Sequence, residues 1–264
     1  MILSIFLILL VAAIFGAVIG SFINVVAIRS HDGVSLGGRS HCMNCKKTLH
    51  ARHLVPVLSY LYQRGRCTEC GKKIHPQYPL VEVFGAFLAV ITVLRYIYAL
   101  DWFWMGYEFF FLMSLMIFVV TDIRWKELFL ELMVGIGIVF SLYHMLLRVA
   151  SGEAWYLVAW SHLIGFSFVT LFFFFQWFVS RKRWIGAGDI WLGAVLGGVL
   201  GWPTAGIALY FAYLFGGGLA LVLLLTKKIK PGARVPFAPA LIAGAMAAIW
   251  WGGYVINWIT NATS

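Results

Sequence analysis

Acidic side chains are scarce in this chain. Ten Asp and Glu occur among 264 residues, and residues of either charge make up only 11%. A soluble domain carries about a quarter, so an ordinary water-solvated exterior is excluded. Cysteine is almost as rare: there are four, all between positions 42 and 70. The opening run, MILSIFLILLVAAIFGAVIGSFINVV, has no basic stretch before it. It is also too long for a signal-peptide core, which predicts a retained membrane helix. No Ser-His-Asp arrangement is evident, with His144 and His162 reading as isolated structural residues. Between Glu153 and the C-terminus a single acid, Asp189, interrupts the apolar sequence.

What is present is hydrophobic: 62% of the residues, in recurring runs of 18 or more. Each run is long enough to cross about 30 Å of hydrocarbon. The chain therefore reads as an all-α polytopic membrane protein. About eight spans are expected, near 2–28, 80–100, 105–121, 128–148, 156–179, 187–201, 204–226 and 238–259. The sixth is short and glycine-rich.

The net charge of +10 resides in short connections rather than on one face. This excludes a nucleic-acid reading and leaves lipid headgroups as the natural partner. Residues 29–78 hold nine Lys or Arg, and DIRWKE (122–127), SRKRW (180–184) and TKKIKPGAR (226–234) are also basic. Eight spans put all four on one side, which the positive-inside rule makes cytoplasmic, with both termini outside. The expected organisation is a first helix (1–28), a cytoplasmic module (29–79) and a seven-helix membrane domain (80–264).

The module carries Cys42-x2-Cys45 and, after 21 residues, Cys67-x2-Cys70. Two such knuckles predict a tetrahedral zinc site. Four thiolates leave no open coordination position, so the metal is structural. Two disulfides or a redox pair are the alternatives. His41, His50, His53 and His75 lie nearby and read as surface residues.

Asp122 closes the third span and Asp189 opens the sixth, at similar depth on the same face. Acids at that depth are functional candidates. Gly186 and Gly188 are expected to let the backbone take positive φ and approach another chain, placing Asp189 at a helix N-terminus. Locally, a simple N-cap explains Asp189 equally well. The second aspartate favours a pair in which one carboxyl keeps a proton and the other acts as base. A proton relay in a transporter is the competing use of such a pair.

These residues carry a resemblance. GSFINVVAIR (20–29), the stretch from HCMNC to HPQYPLVE (41–82), GAGD (186–189) and VPFAPALIAGA (235–245) together resemble the type IV prepilin peptidases of bacteria. The resemblance implies a multi-pass aspartic endopeptidase of the cytoplasmic (inner) membrane, with Asp122 and Asp189 as the catalytic pair on the cytoplasmic side. It implies prepilin or pseudopilin substrates of type IV pili and type II secretion, cleaved after the leader's last glycine. It further implies N-methylation of the new N-terminus with S-adenosylmethionine, although no glycine-rich loop for that cofactor is recognisable. A zinc module that holds the leader is expected. The chain departs from the family pattern at Trp191, at Phe129 and Leu130, and at Leu54. Those departures would also permit a non-catalytic pilin-binding scaffold.

Overall fold

The computed structural model describes residues 2–230 and 235–263. Arg234, in the expected basic connection 226–234, lies outside the described residues. Regular structure among them is helical: α1 (Ile2–Asp32), α2 (Leu58–Tyr62), α3 (Gln77–Tyr96), α4 (Trp102–Trp125), α5 (Leu130–Ala150), α6 (Trp155–Val179), α7 (Ala187–Leu200), α8 (Thr204–Leu225) and α9 (Ala238–Thr263), with one 3-10 turn at Ala51–His53. Seven of these are long and apolar enough to cross a membrane. The sixth expected span exists as α7, but it has only 14 residues. At 1.5 Å per residue it is about 21 Å long, short of the roughly 30 Å of hydrocarbon.

The chain forms two compact units, Met1–Thr121 and Asp122–Ser264. In the first, α1 packs along α3. Gly16 and Gly85 face each other so closely that a side chain on either would strike the other's carbonyl. α1 runs four residues past its expected end. It stops where Gly33 takes φ +65 and Val34 N–H reaches the Arg29 carbonyl at 3.0 Å, a glycine-terminated helix end. α4 starts earlier than expected, because the Asp101 carboxylate accepts the Trp104 N–H at 3.2 Å and caps it. Glu108, buried in α4, is held by Arg95 Nε at 3.1 Å and the Tyr96 hydroxyl at 2.9 Å.

In the second unit α7 is the central helix, packed against α5, α6, α8 and α9. Small residues allow this: a Cβ on Gly165 would lie 2.5 Å from the Gly197 carbonyl. The far end of α7 is tied to α6, with Trp202 N–H on the Ser161 carbonyl at 2.9 Å and Ser161 Oγ on the Trp202 carbonyl at 2.8 Å. Ser161 lies in the second turn of α6, so α7 ends level with that turn rather than at the start of α6.

Candidate functional site

Asp189 is the third residue of α7, and Gly186 is its N-cap with φ −77 and ψ 154. The Asp189 carboxylate accepts the Gly186 N–H at 3.1 Å, and the Asp189 N–H returns to the Gly186 carbonyl at 3.2 Å. The expected positive φ is therefore corrected: neither Gly186 nor Gly188 adopts it. Gly188 supplies space instead, since a Cβ there would come within 2.9 Å of Leu128 Cδ1. A Cβ on Gly186 would press on the Asp189 carboxylate at 3.3 Å.

Asp122 is buried in the last turn of α4. Its Oδ2 accepts the N–H of Ala238, the first residue of α9, at 3.1 Å. Each aspartate thus sits at the N-terminus of a helix, Asp189 on α7 and Asp122 on α9. Unpaired amides and the positive end of the macrodipole stabilise a carboxylate there. The two carboxyls are near enough to interact electrostatically.

An aromatic wall flanks them. The Tyr213 phenol lies within electrostatic range of Asp189, and its hydroxyl donates to Gln176 Oε1 at 2.8 Å. The Tyr213 ring stands 5.4 Å from Phe237, which packs 6.1 Å from Phe173. Phe237 directly precedes the amide that binds Asp122. Two carboxyls that share a site and hold one proton between them can activate a water and protonate a leaving amine.

The cysteines form a second centre. Both knuckles fold alike. Cys42 N–H bonds the Lys47 carbonyl and Cys67 N–H the Lys72 carbonyl, at 3.0 and 2.9 Å. Lys46 and Gly71, each four residues after the first cysteine, take φ +58 and +69. Isolated bridges His41–Thr48 and Arg66–Lys73 close the two turns. The four sulfurs lie within 4.8 Å of one another as free thiols, with Cys42 and Cys70 at 3.9 Å. That is no disulfide distance. Tetrahedral zinc with bonds of about 2.3 Å puts its sulfurs about 3.8 Å apart, so the donor set fits zinc. Burial opposes the Cys42 thiolate, but the Cys45 and Asn44 amides outweigh it and bring the thiol down to about 7. The Lys47 amide favours the Cys45 thiolate, yet desolvation and the neighbouring sulfurs push it up to about 11. Four crowded thiolates repel, and a central dication would offset half of their charge while bonding each sulfur.

The structure places every site residue named from the sequence, and brings the four cysteines together and the two aspartates into range. Ala238, Tyr213 and Gln176 were missed. Gln176 had a legible signal, as a lone amide in the run FFFFQW. Ala238 lies inside the quoted run VPFAPALIAGA, but nothing in that run marked its amide as a partner for Asp122. One reading is corrected: His144 and His162 are not isolated. Their rings lie 5.0 Å apart, and His162 Nδ1 meets the Gly198 carbonyl at 2.6 Å. Trp191 faces outward, 48% exposed.

Comparison with known proteins adds identity. Residues 14–96 match the model of the bacterial peptidase A24 N-terminal domain, and residues 109–221 that of the type IV leader peptidase family. The chain is 32% identical to a prepilin leader peptidase/N-methyltransferase of Bacillus subtilis (strain 168), covering 92% of this chain and 94% of the relative. It is 29% identical to the protein of that name in Aeromonas hydrophila (94% and 92%) and 25% to that in Neisseria gonorrhoeae (94% and 93%). No solved structure matches the chain.

Proposed function

Because the chain belongs to the type IV leader peptidase family, we propose that it removes leader peptides from type IV prepilins and pseudopilins, with Asp122 and Asp189 as its catalytic pair. The observation that carries this reading is that two aspartates, 67 positions apart in sequence, each accept a backbone amide at a helix N-terminus within one unit. One carboxyl, ionised, takes a proton from water as that water attacks the scissile carbonyl. The other, protonated, polarises the carbonyl and then supplies the leaving amine. Gly186 and Gly188 support the site by leaving room around Asp189 and against Leu128.

The chain is a multi-pass membrane protein. The basic connections support a reading in which the aspartates lie on the cytoplasmic side and both termini outside. The division into a first helix, a cysteine module and a membrane domain assigns chemistry to the last. Zinc belongs to Cys42, Cys45, Cys67 and Cys70 as a structural metal. Glu127 and Glu131, both exposed and close after Asp122 in sequence, give that stretch acidic character suited to a basic leader. Glu69 is bonded to Lys47 at 2.5 Å and Glu82 to the Val57 amide at 2.7 Å. The relatives' shared name extends the activity to N-methylation of the new N-terminus, with S-adenosylmethionine as methyl donor.

Mass spectrometry of a prepilin incubated with the purified protein tests this directly. Leader removal that disappears in Asp122→Asn and Asp189→Asn is the expected result. Cleavage surviving both substitutions would overturn the aspartyl mechanism. A gain of one methyl on the mature pilin reports the second activity.

A further inference from the structure

Glu82 is a buried carboxylate in α3 that the proposed chemistry does not use. Its Oε2 accepts the Val57 N–H at 2.7 Å, and Ser21 of α1 also bonds it. Val57 has φ +61 and ψ −51, and the Leu58 N–H closes on the Pro56 carbonyl at 2.6 Å. This is a γ-turn of the strained, positive-φ kind, at a β-branched residue that avoids such angles. Strain of this kind persists only where the surroundings over-determine it, and here a buried carboxylate holds the turn.

The consequence is one of depth. Glu82 is the sixth residue of α3, so it lies about 7.5 Å along the axis from Gln77. Backbone and side-chain contacts agree: Gly20 of α1 abuts Val81 and Glu82, and Asn24 Oδ1 accepts Gln77 Nε2 at 3.0 Å. The turn at Val57 therefore descends beside the first turns of a membrane-spanning helix, level with the exposed side chains Leu80 and Val83. α2 follows at once. Leu58, Leu61 and Tyr62 are 66%, 64% and 84% exposed among the described residues. Ser59 Oγ ties α2 to the Arg52 carbonyl at 2.7 Å, and Arg52 and Arg64 flank the apolar residues in the exposed surface.

We infer that α2 is an interfacial anchor, seated in the lipid headgroup layer by the Glu82–Val57 bond, with an anionic bilayer as its partner. Leucines that would be adverse in water dip into the acyl boundary, the Tyr62 ring spans the interface, and the arginines meet lipid phosphates. The patch is continuous with the lipid-facing flank of α3. The inference is independent of the assignment of the two aspartates.

A photoreactive diazirine amino acid at position 61 of the full chain, in substrate-free vesicles, tests it. Val83 is the lipid-facing reference and Thr68, exposed on the second knuckle, the aqueous one. The expected result is a phospholipid adduct at 61 comparable to that at 83 and several-fold above that at 68, rising when phosphatidylglycerol is added to zwitterionic lipid. An adduct at 61 no greater than at 68 overturns the inference. So does transfer of the whole adduct to a prepilin when one is added, which would make α2 a protein-docking surface. Indifference to phosphatidylglycerol overturns the role of the arginines. Glu82→Gln, which keeps an acceptor for the Val57 amide, should preserve the adduct at 61, and Glu82→Ala should reduce it several-fold with the adduct at 83 unchanged.

Discussion

The amide of Ala238 donates to the carboxylate of Asp122 across 116 positions of sequence. This bond joins the last turn of α4 to the first residue of α9, and so couples a candidate catalytic acid to the start of the final membrane helix. Ala238→Pro isolates it. Proline suits the first position of a helix but has no N–H to give. A hydrogen bond to a charged group is worth about 1.5–3 kcal/mol. Cleavage of prepilin by Ala238→Pro should therefore fall about ten-fold or more in kcat/KM, with little change in Tm.

Tyr213→Phe keeps the ring against Phe237 and Phe173 but removes the hydroxyl bonded to Gln176. If that hydroxyl orders the flank of Asp189, kcat/KM drops by about 3- to 10-fold, the range of one neutral hydrogen bond. Steady-state cleavage kinetics alongside thermal unfolding check this. An unchanged rate would reduce Tyr213 to a packing residue.

Metal removal should act locally. Stripping zinc with a chelator, or Cys42→Ala, removes the staple of a segment too small to fold alone. Amide exchange across residues 40–75 should accelerate, whereas α5–α9 should keep their protection. Full cleavage by metal-free protein would show that the module does not serve the reaction.

Glu153 offers a pH test away from the site. Arg148 Nε donates to its carboxylate at 2.8 Å and, with burial opposing, holds the group below the ordinary carboxylate range. A depressed folded-state value adds stability above the unfolded value, and that stability is lost as pH falls through the folded one. The side chain is 44% exposed, so solvent screening limits the pair to under about 1 kcal/mol. Glu153→Gln should lower Tm by roughly 1–3 °C at pH 7, and the difference should close as pH drops below the carboxylate range.

How much of this was legible beforehand depends on the range of the signal. Hydrophobic run length located the spans, and the knuckle spacing brought four sulfurs together, because both are local patterns. The charge pattern gave the expectation that Asp122 and Asp189 lie at one level, before any knowledge of packing. The helix ends were harder: α1 runs on to Asp32 because its stop is Gly33, and α4 starts early because Asp101 caps it. Both devices are single residues inside polar sequence. The role of the glycines was misread, since glycine signals either positive φ or close approach, and only the neighbour at Leu128 decides which. The Ala238, Gln176 and Val57 partnerships are tertiary, and no spacing rule encodes them.

The shortness of α7 has a consequence for the solvent around the site. Its neighbours are matched to the bilayer and it is not, falling roughly 9 Å short of the hydrocarbon thickness. Asp189 lies in the first turn of this short helix, so its position relative to the headgroups depends on how the bilayer adjusts to that shortness. Hydrophobic mismatch then becomes a variable of the reaction. Thicker bilayers would deepen the path that a scissile bond and its water must travel to Asp189, and thinner ones would shorten it. Turnover should therefore depend on lipid chain length in a way that detergent micelles, which adapt to the protein, cannot reveal.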